Sequence, residues 1–129
     1  MIAFRWLAPL LVCTTLAGCA SGPFKTGLFQ SQSKAERRLA TGIDFYEDGD
    51  YATASQLLQS SLDTGMRSIH DQTKAHKYLA FIHCASGRER LCREEFGKAL
   101  DIDPAFDLEQ AEAGHPIWGL AFRSVKTKK

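Results

Sequence analysis

Two stretches of this chain repeat the same residue pattern, and this repetition limits the folds open to the chain more than any other feature. The segments FYEDGDYATASQLLQSSL and HCASGRERLCREEFGKAL, residues 45–62 and 83–100, align on Gly49 and Gly87. In each segment a small residue follows the glycine by five positions and a large apolar residue by nine, namely Ala54 and Leu58, then Cys92 and Phe96. A glycine between two stretches of helical periodicity is typical of a turn between antiparallel helices. The sequence therefore predicts two helical hairpins.

This layout resembles the tetratricopeptide repeat, a helix-turn-helix unit of about 34 residues. On that resemblance the first repeat covers residues 35–68 and the second 73–106, and Pro104 stands where the family usually has proline. The first repeat departs from the family pattern, with Arg38 at a usually apolar place and Met66 at the usual proline. The resemblance implies an all-α fold. Because an array of this kind needs about three units or added caps, the rest of the chain must contribute to the core.

The C-terminal segment is the first candidate for that contribution. We expect a short helix that opens at Pro104 and Asp107 and ends at Gly114. The residues after it are too apolar for a solvated tail: Ile117, Trp118, Leu120, Phe122 and Val125. The prediction is that Trp118 and Phe122 cap the open end of the second repeat. The alternative is an exposed patch that binds a partner.

The N-terminus predicts export and a lipid anchor. Residues 1–18 carry Arg5 and then a short apolar run, the layout of a secretory signal rather than of a membrane-spanning helix. The tetrapeptide Leu16-Ala17-Gly18-Cys19 resembles the lipobox of bacterial lipoproteins. The resemblance implies cleavage before Cys19, lipidation of its thiol and stable anchoring by several acyl chains. Because no Asp follows the cysteine, it also implies the periplasmic face of the outer membrane. An ordinary signal cut nearby, with a free Cys19 thiol, is the alternative.

The composition after the cysteine changes to Ser, Gly, Gln, Lys and Thr. We therefore predict that residues 19–34 form a lipidated flexible tether and that residues 35–129 form the repeat-like helical domain with its C-terminal cap. Three apolar residues of the tether have an alternative place, docked on the domain or at the membrane surface: Phe24, Leu28 and Phe29.

The cysteines give a second candidate for stabilising a short array. Cys13 leaves with the signal and Cys19 is taken by lipid, so Cys84 and Cys92 remain in an oxidising periplasm. They lie symmetrically about the turn of the second hairpin, and we expect a disulfide that clamps it near its tip. The alternative is two separate buried thiols. A metal site with His83 is disfavoured, since neighbouring helical residues point to different faces and no fourth ligand is evident.

The charge balance and the motifs argue against several classes of function. Formal net charge is +1, with 16 Lys and Arg against 15 Asp and Glu, and removal of Arg5 with the signal leaves 15 of each. This balance gives no reason to expect a nucleic-acid partner. No nucleophile elbow, phosphate-binding glycine loop or CxxC motif is present, and pairs such as Glu94 and Glu95 are expected to be solvated on helix faces. We expect no enzyme activity, no metal, no cofactor and no small-molecule substrate.

A protein partner is the remaining expectation. In tetratricopeptide arrays the first helices line a groove that binds peptides, and the resemblance carries that groove to Tyr46, Lys74, Lys77 and Phe81. The alternative is that some of these residues are core.

A wider resemblance covers residues 73–126, which look like the C-terminal half of small lipoproteins that accompany bacterial type VI secretion systems. It implies a non-catalytic, outer-membrane-anchored scaffold for a secretion or envelope complex. The alternative function is a pilotin-like chaperone that assembles an outer-membrane secretion subunit. A third class, binding to peptidoglycan or another glycan, has no supporting motif.

Overall fold

The computed structural model describes residues 32–129, and these residues form six α-helices joined by short loops. The helices are α1 (Lys34–Glu47), α2 (Tyr51–Thr64), α3 (Ile69–Ala85), α4 (Glu89–Ile102), α5 (Gln110–Ala113) and α6 (Trp118–Lys126). No strand occurs within this part of the chain, which confirms the predicted all-α fold. The predicted signal peptide, Cys19 and nearly all of the predicted tether lie outside the described residues.

The helices α1 with α2 and α3 with α4 form two antiparallel hairpins, and each hairpin turns at one of the two aligned glycines. Gly49 has a φ of 82° and Gly87 a φ of 72°. This left-handed backbone is strained for residues that carry a Cβ. Side-chain caps fix the helix starts: the Ser33 hydroxyl accepts from the backbone N–H of Glu36, and the Asp50 carboxylate accepts from that of Thr53.

The short C-terminal helix starts later than the sequence predicted. Residues 104–109 form a turn and an irregular segment, and α5 contains only Gln110–Ala113. The Asp103 side chain accepts from the backbone N–H of Ala105, and the Asp107 side chain accepts from that of Leu108. Aspartate side chains that bond the local backbone in this way compete with helix formation, which explains the later start.

Helix α3 lies between two apolar clusters and holds the domain together. One face of α3 packs with the first hairpin around Leu39, Leu58 and Leu79. Its other face packs with α4 and α6 around Phe81, Phe96 and Phe122. Helix α6 packs against α4 and part of α3 and encloses that side of the second hairpin.

A disulfide joins the end of α3 to the start of α4. It links Cys84 to Cys92, whose Cα atoms are 5.2 Å apart, and both residues are buried. That separation lies within the range that disulfides need, so the hairpin places the two cysteines at bonding distance.

None of the helices within residues 32–129 is both long enough and apolar enough to cross a lipid bilayer.

Candidate protein-binding face

The predicted groove residues lie on one side of α1 and α3, and the C-terminal segment covers half of them. Lys77 is 8% exposed and Phe81 is 3% exposed. Tyr46 and Lys74 are half-buried. Lys77 and Phe81 are therefore not accessible to a partner, and the alternative that some of these residues belong to the core applies to these two.

Lys77 is held in place by a carboxylate and two aromatic rings. Its Nζ donates to Glu112 Oε1 at 2.7 Å, and the two side chains are 10% and 20% exposed. The same Nζ lies 5.1 Å from the ring centroid of Tyr78 and 5.7 Å from that of Phe81. A partly desolvated ammonium gains from both contacts, the ion pair and the aromatic faces. This arrangement fixes α5 onto α3.

Trp118 and Phe122 place α6 on the second hairpin. The ring centroids of Trp118 and Phe81 are 4.8 Å apart, and the indole stacks on the His115 imidazole. Phe122 is 2% exposed and contacts Phe96, with 5.2 Å between ring centroids. Trp118 is half-buried and Phe122 is buried, so the rings of both residues pack on the second hairpin rather than forming an exposed patch.

Three tyrosines beside the covered region remain accessible. They are Tyr46, Tyr51 and Tyr78, and we refer to them as the tyrosine cluster. The ring centroids of Tyr46 and Tyr51 are 5.5 Å apart, and those of Tyr46 and Tyr78 are 5.0 Å apart. Tyr51 is 38% exposed, and the other two are half-buried. An amphipathic aromatic surface of this kind, half in the core and half in water, is typical of interfaces.

The pKa values of two of these tyrosines show what surrounds them. Burial, followed by the other two tyrosines and the charge of Glu112, raises the pKa of Tyr46 to about 12. Burial also raises the pKa of Tyr78, with added contributions from the negative charges of Glu112, Glu47 and Glu109 in that order. Tyr46 and Tyr78 therefore lie in an acidic environment and remain protonated at neutral pH.

Lys74, the fourth predicted groove residue, lines a small cleft below this surface. The cleft has a volume of about 210 Å³ and lies between α3 and the loop that precedes α5. Its other lining residues include Thr73, Asp103 and Glu109. Among the described residues Thr73 Oγ1 is buried and has no hydrogen-bond partner. The cleft therefore has charged walls of both signs and an unsatisfied hydroxyl.

A second polar cluster, which the sequence did not reveal, links α3 to α4. Glu95 Oε2 lies 2.6 Å from His76 Nδ1, and Glu95 Oε1 accepts from Lys98 Nζ at 2.5 Å. Glu95 is 7% exposed, so the expectation that it is solvated is wrong. Burial alone would raise the pKa of Glu95, but the hydrogen bonds from His76 and Lys98 outweigh burial and lower it. Helical periodicity could have placed Glu95 on the face towards α3, yet it could not identify its partner.

Within residues 32–129, no three His, Cys, Asp or Glu side chains are close enough together to hold a metal ion.

Comparison of the chain with protein-family models, with curated proteins and with solved structures gave no match.

Proposed function

We propose that this protein is a non-catalytic, outer-membrane-anchored lipoprotein that acts as a protein-protein interaction scaffold in a secretion or envelope complex, with a type VI secretion system as the first candidate. The observation that carries the proposal is the tyrosine cluster, an accessible aromatic surface beside a region that already binds polypeptide. There the C-terminal segment is held through Glu112 and Trp118. The lipobox-like tetrapeptide at Cys19 supports the anchor.

The tyrosine cluster offers a partner a large contact area at low entropic cost. Tyrosine has few rotatable bonds, buries a ring and keeps a hydroxyl for hydrogen bonding, and interface hot spots are enriched in it. Ring-to-ring contacts and half-burial already restrict Tyr46 and Tyr78. A partner that packs on them therefore loses little to side-chain ordering, a cost of about 0.5–1.5 kcal/mol for each flexible side chain immobilised at an interface.

The partner test places a photoreactive amino acid at Tyr51 in cells, with Leu120 as the matched control. Both positions are exposed, Tyr51 at 38% and Leu120 at 59%, but Leu120 lies on α6. We expect a defined protein crosslink at Tyr51 that mass spectrometry identifies, and none of that protein at Leu120. Equal capture at both positions, or no capture at Tyr51, would contradict the scaffold proposal.

The anchor has its own test. A palmitate analogue should label the wild-type chain and should not label Cys19→Ala; equal labelling would exclude the lipoprotein assignment. Deletion of the gene then separates scaffold from chaperone, because a scaffold's partner stays in its membrane while the complex fails to assemble. A partner stranded in the other membrane would instead indicate the pilotin-like function.

A further inference from the structure

We infer that the tyrosine cluster, together with Glu47 and Glu109 beside it, binds a Lys or Arg side chain of the partner protein. This inference rests on the proposed scaffold function and adds the chemistry of the partner segment. We call these five residues the cation surface: Tyr46, Tyr51, Tyr78, Glu47 and Glu109.

A cation of the domain itself, the Lys77 ammonium, already packs on this face, and its contacts show which groups the face offers to a cation. The Lys77 ammonium rests between the carboxylate of Glu112, at 2.7 Å, and the ring of Tyr78, at 5.1 Å from its centroid. Tyr78 contacts Tyr46, and Tyr46 contacts Tyr51. The aromatic surface that receives Lys77 therefore continues without a break to the accessible ring of Tyr51.

Two of the acidic residues in this region, Glu47 and Glu109, carry a negative charge that no ion pair within the described part of the chain neutralises. Glu112 uses Oε1 on Lys77 and Oε2 on the backbone N–H of Glu109. The Glu109 side chain takes part in the capping box at the start of α5, but neither Glu109 nor Glu47 forms an ion pair with any residue in the range 32–129. Both are exposed. Two unmatched carboxylates beside aromatic faces favour a cation and disfavour an anion.

The pKa directions agree with this geometry. Glu112, Glu47 and Glu109 each raise the pKa of Tyr78, after the larger effect of burial. Lys74 lines the same cleft as Glu109, so its positive charge should repel a cation bound beside Glu109. Its side chain makes no ion pair with any other described residue, so its removal should strengthen binding of a cation.

The test measures binding of fluorescent peptides to the full-length chain in nonionic detergent. One probe alternates Arg with Gly and Ser, and the second has Glu in place of every Arg. We expect the Arg probe to bind and the Glu probe not to bind. Tyr51→Ala should weaken binding of the Arg probe by about 3- to 10-fold, the range of an exposed to half-buried cation–π contact.

Charge-matched variants distinguish binding at the cation surface from attraction of the Arg probe by negative charge elsewhere on the protein. Glu47→Gln with Glu109→Gln should weaken binding of the Arg probe several-fold, whereas Asp63→Asn with Glu94→Gln removes the same charge elsewhere and should leave it unchanged. Lys74→Gln should tighten binding of the Arg probe. Equal losses in the two double variants, or equal binding of the Arg and Glu probes, would overturn the inference.

The photocrosslinking experiment at Tyr51 distinguishes a failure of the cation inference from a failure of the proposed scaffold function. A protein crosslinked at Tyr51 together with no preference for the Arg probe overturns the inference and leaves the scaffold function standing. No crosslinked protein overturns both. If the crosslinked peptide of the partner carries Lys or Arg at the attachment site, it supports both.

Discussion

Replacing Gly119 with alanine tests the contact between α5 and α6 that closes the domain. A Cβ built on Gly119 would lie 2.3 Å from the carbonyl oxygen of Ala113 and 3.0 Å from its carbonyl carbon. Both are backbone atoms, which cannot turn away as a flexible side chain can. Gly97 on α4 is the matched control, because a Cβ there meets nothing within 4 Å.

Both substitutions gain helix propensity, but only Gly119→Ala also introduces a steric overlap. Alanine is favoured over glycine within a helix by about 0.8–1.0 kcal/mol, so Gly97→Ala should raise the free energy of unfolding by roughly 0.5–1 kcal/mol. In Gly119→Ala the overlap must be relieved by moving α6 about 1 Å away from Ala113, and overpacking of this kind costs about 1–3 kcal/mol or more. Because the obstacle is backbone, we expect the upper end and a net loss of roughly 1–2 kcal/mol.

The measurement is urea unfolding of the purified full-length chain, followed by circular dichroism with the disulfide intact. Thermal unfolding gives a second reading, since about 1 kcal/mol corresponds to roughly 4–8 °C in a domain of this size. Trp118 fluorescence should shift to longer wavelength in Gly119→Ala, because α6 carries Trp118 away from Phe81. If Gly119→Ala is as stable as Gly97→Ala, α6 does not pack against Ala113 in solution and the covered state of Phe81 is wrong.

Three further sets of substitutions test contacts within and around the hairpins. Cys84→Ser with Cys92→Ser should lower the free energy of unfolding by about 2–3 kcal/mol, the entropy of closing a short loop, and reductant should then change nothing further. Lys77→Met should cost about 2–3 kcal/mol, less than a fully buried pair because Glu112 is partly exposed, and adding Glu112→Met should recover most of it. The pKa of Glu95 is lowered on folding despite its burial, so its contribution is present above the usual carboxyl pKa and is lost as pH falls through the folded value. Stability should therefore fall more steeply between pH 5 and pH 3 in the wild type than in Glu95→Gln, as acid titrations followed by circular dichroism will show.

The hairpins could be read from the sequence because their determinants are local. A glycine at each turn and small or apolar residues at helical spacing fix the helices and the faces that pack, and both glycines have the positive φ that a hairpin turn requires here. The apolar residues after Gly114 also indicated that the C-terminus belongs to the core. Each of these inferences depends on residues within one hairpin or one helix.

The sequence could not predict that the C-terminal segment covers the predicted groove, because this contact depends on residues far apart in the chain. Lys77 and Glu112 are separated by 35 positions, and neither residue type indicates which partner it will find. Helical position placed Lys77 and Phe81 on the correct face of α3, but it contains no information about what packs on that face. For the same reason, the contact of Glu95 with His76, 19 positions away, could not be predicted.

The C-terminal segment also determines how a partner can approach the domain. A partner that entered the predicted groove at Phe81 would have to displace α6 and expose the rings of Phe81, Phe96 and Phe122, each of which is nearly fully buried. Burial of three such side chains contributes about 5–9 kcal/mol, which is comparable to the whole stability of a small domain. A partner that leaves α6 in place meets none of this cost. The accessible route is therefore beside the covered region, over Tyr51 and its neighbours, where the rings are already ordered and the adjacent carboxylates are unmatched.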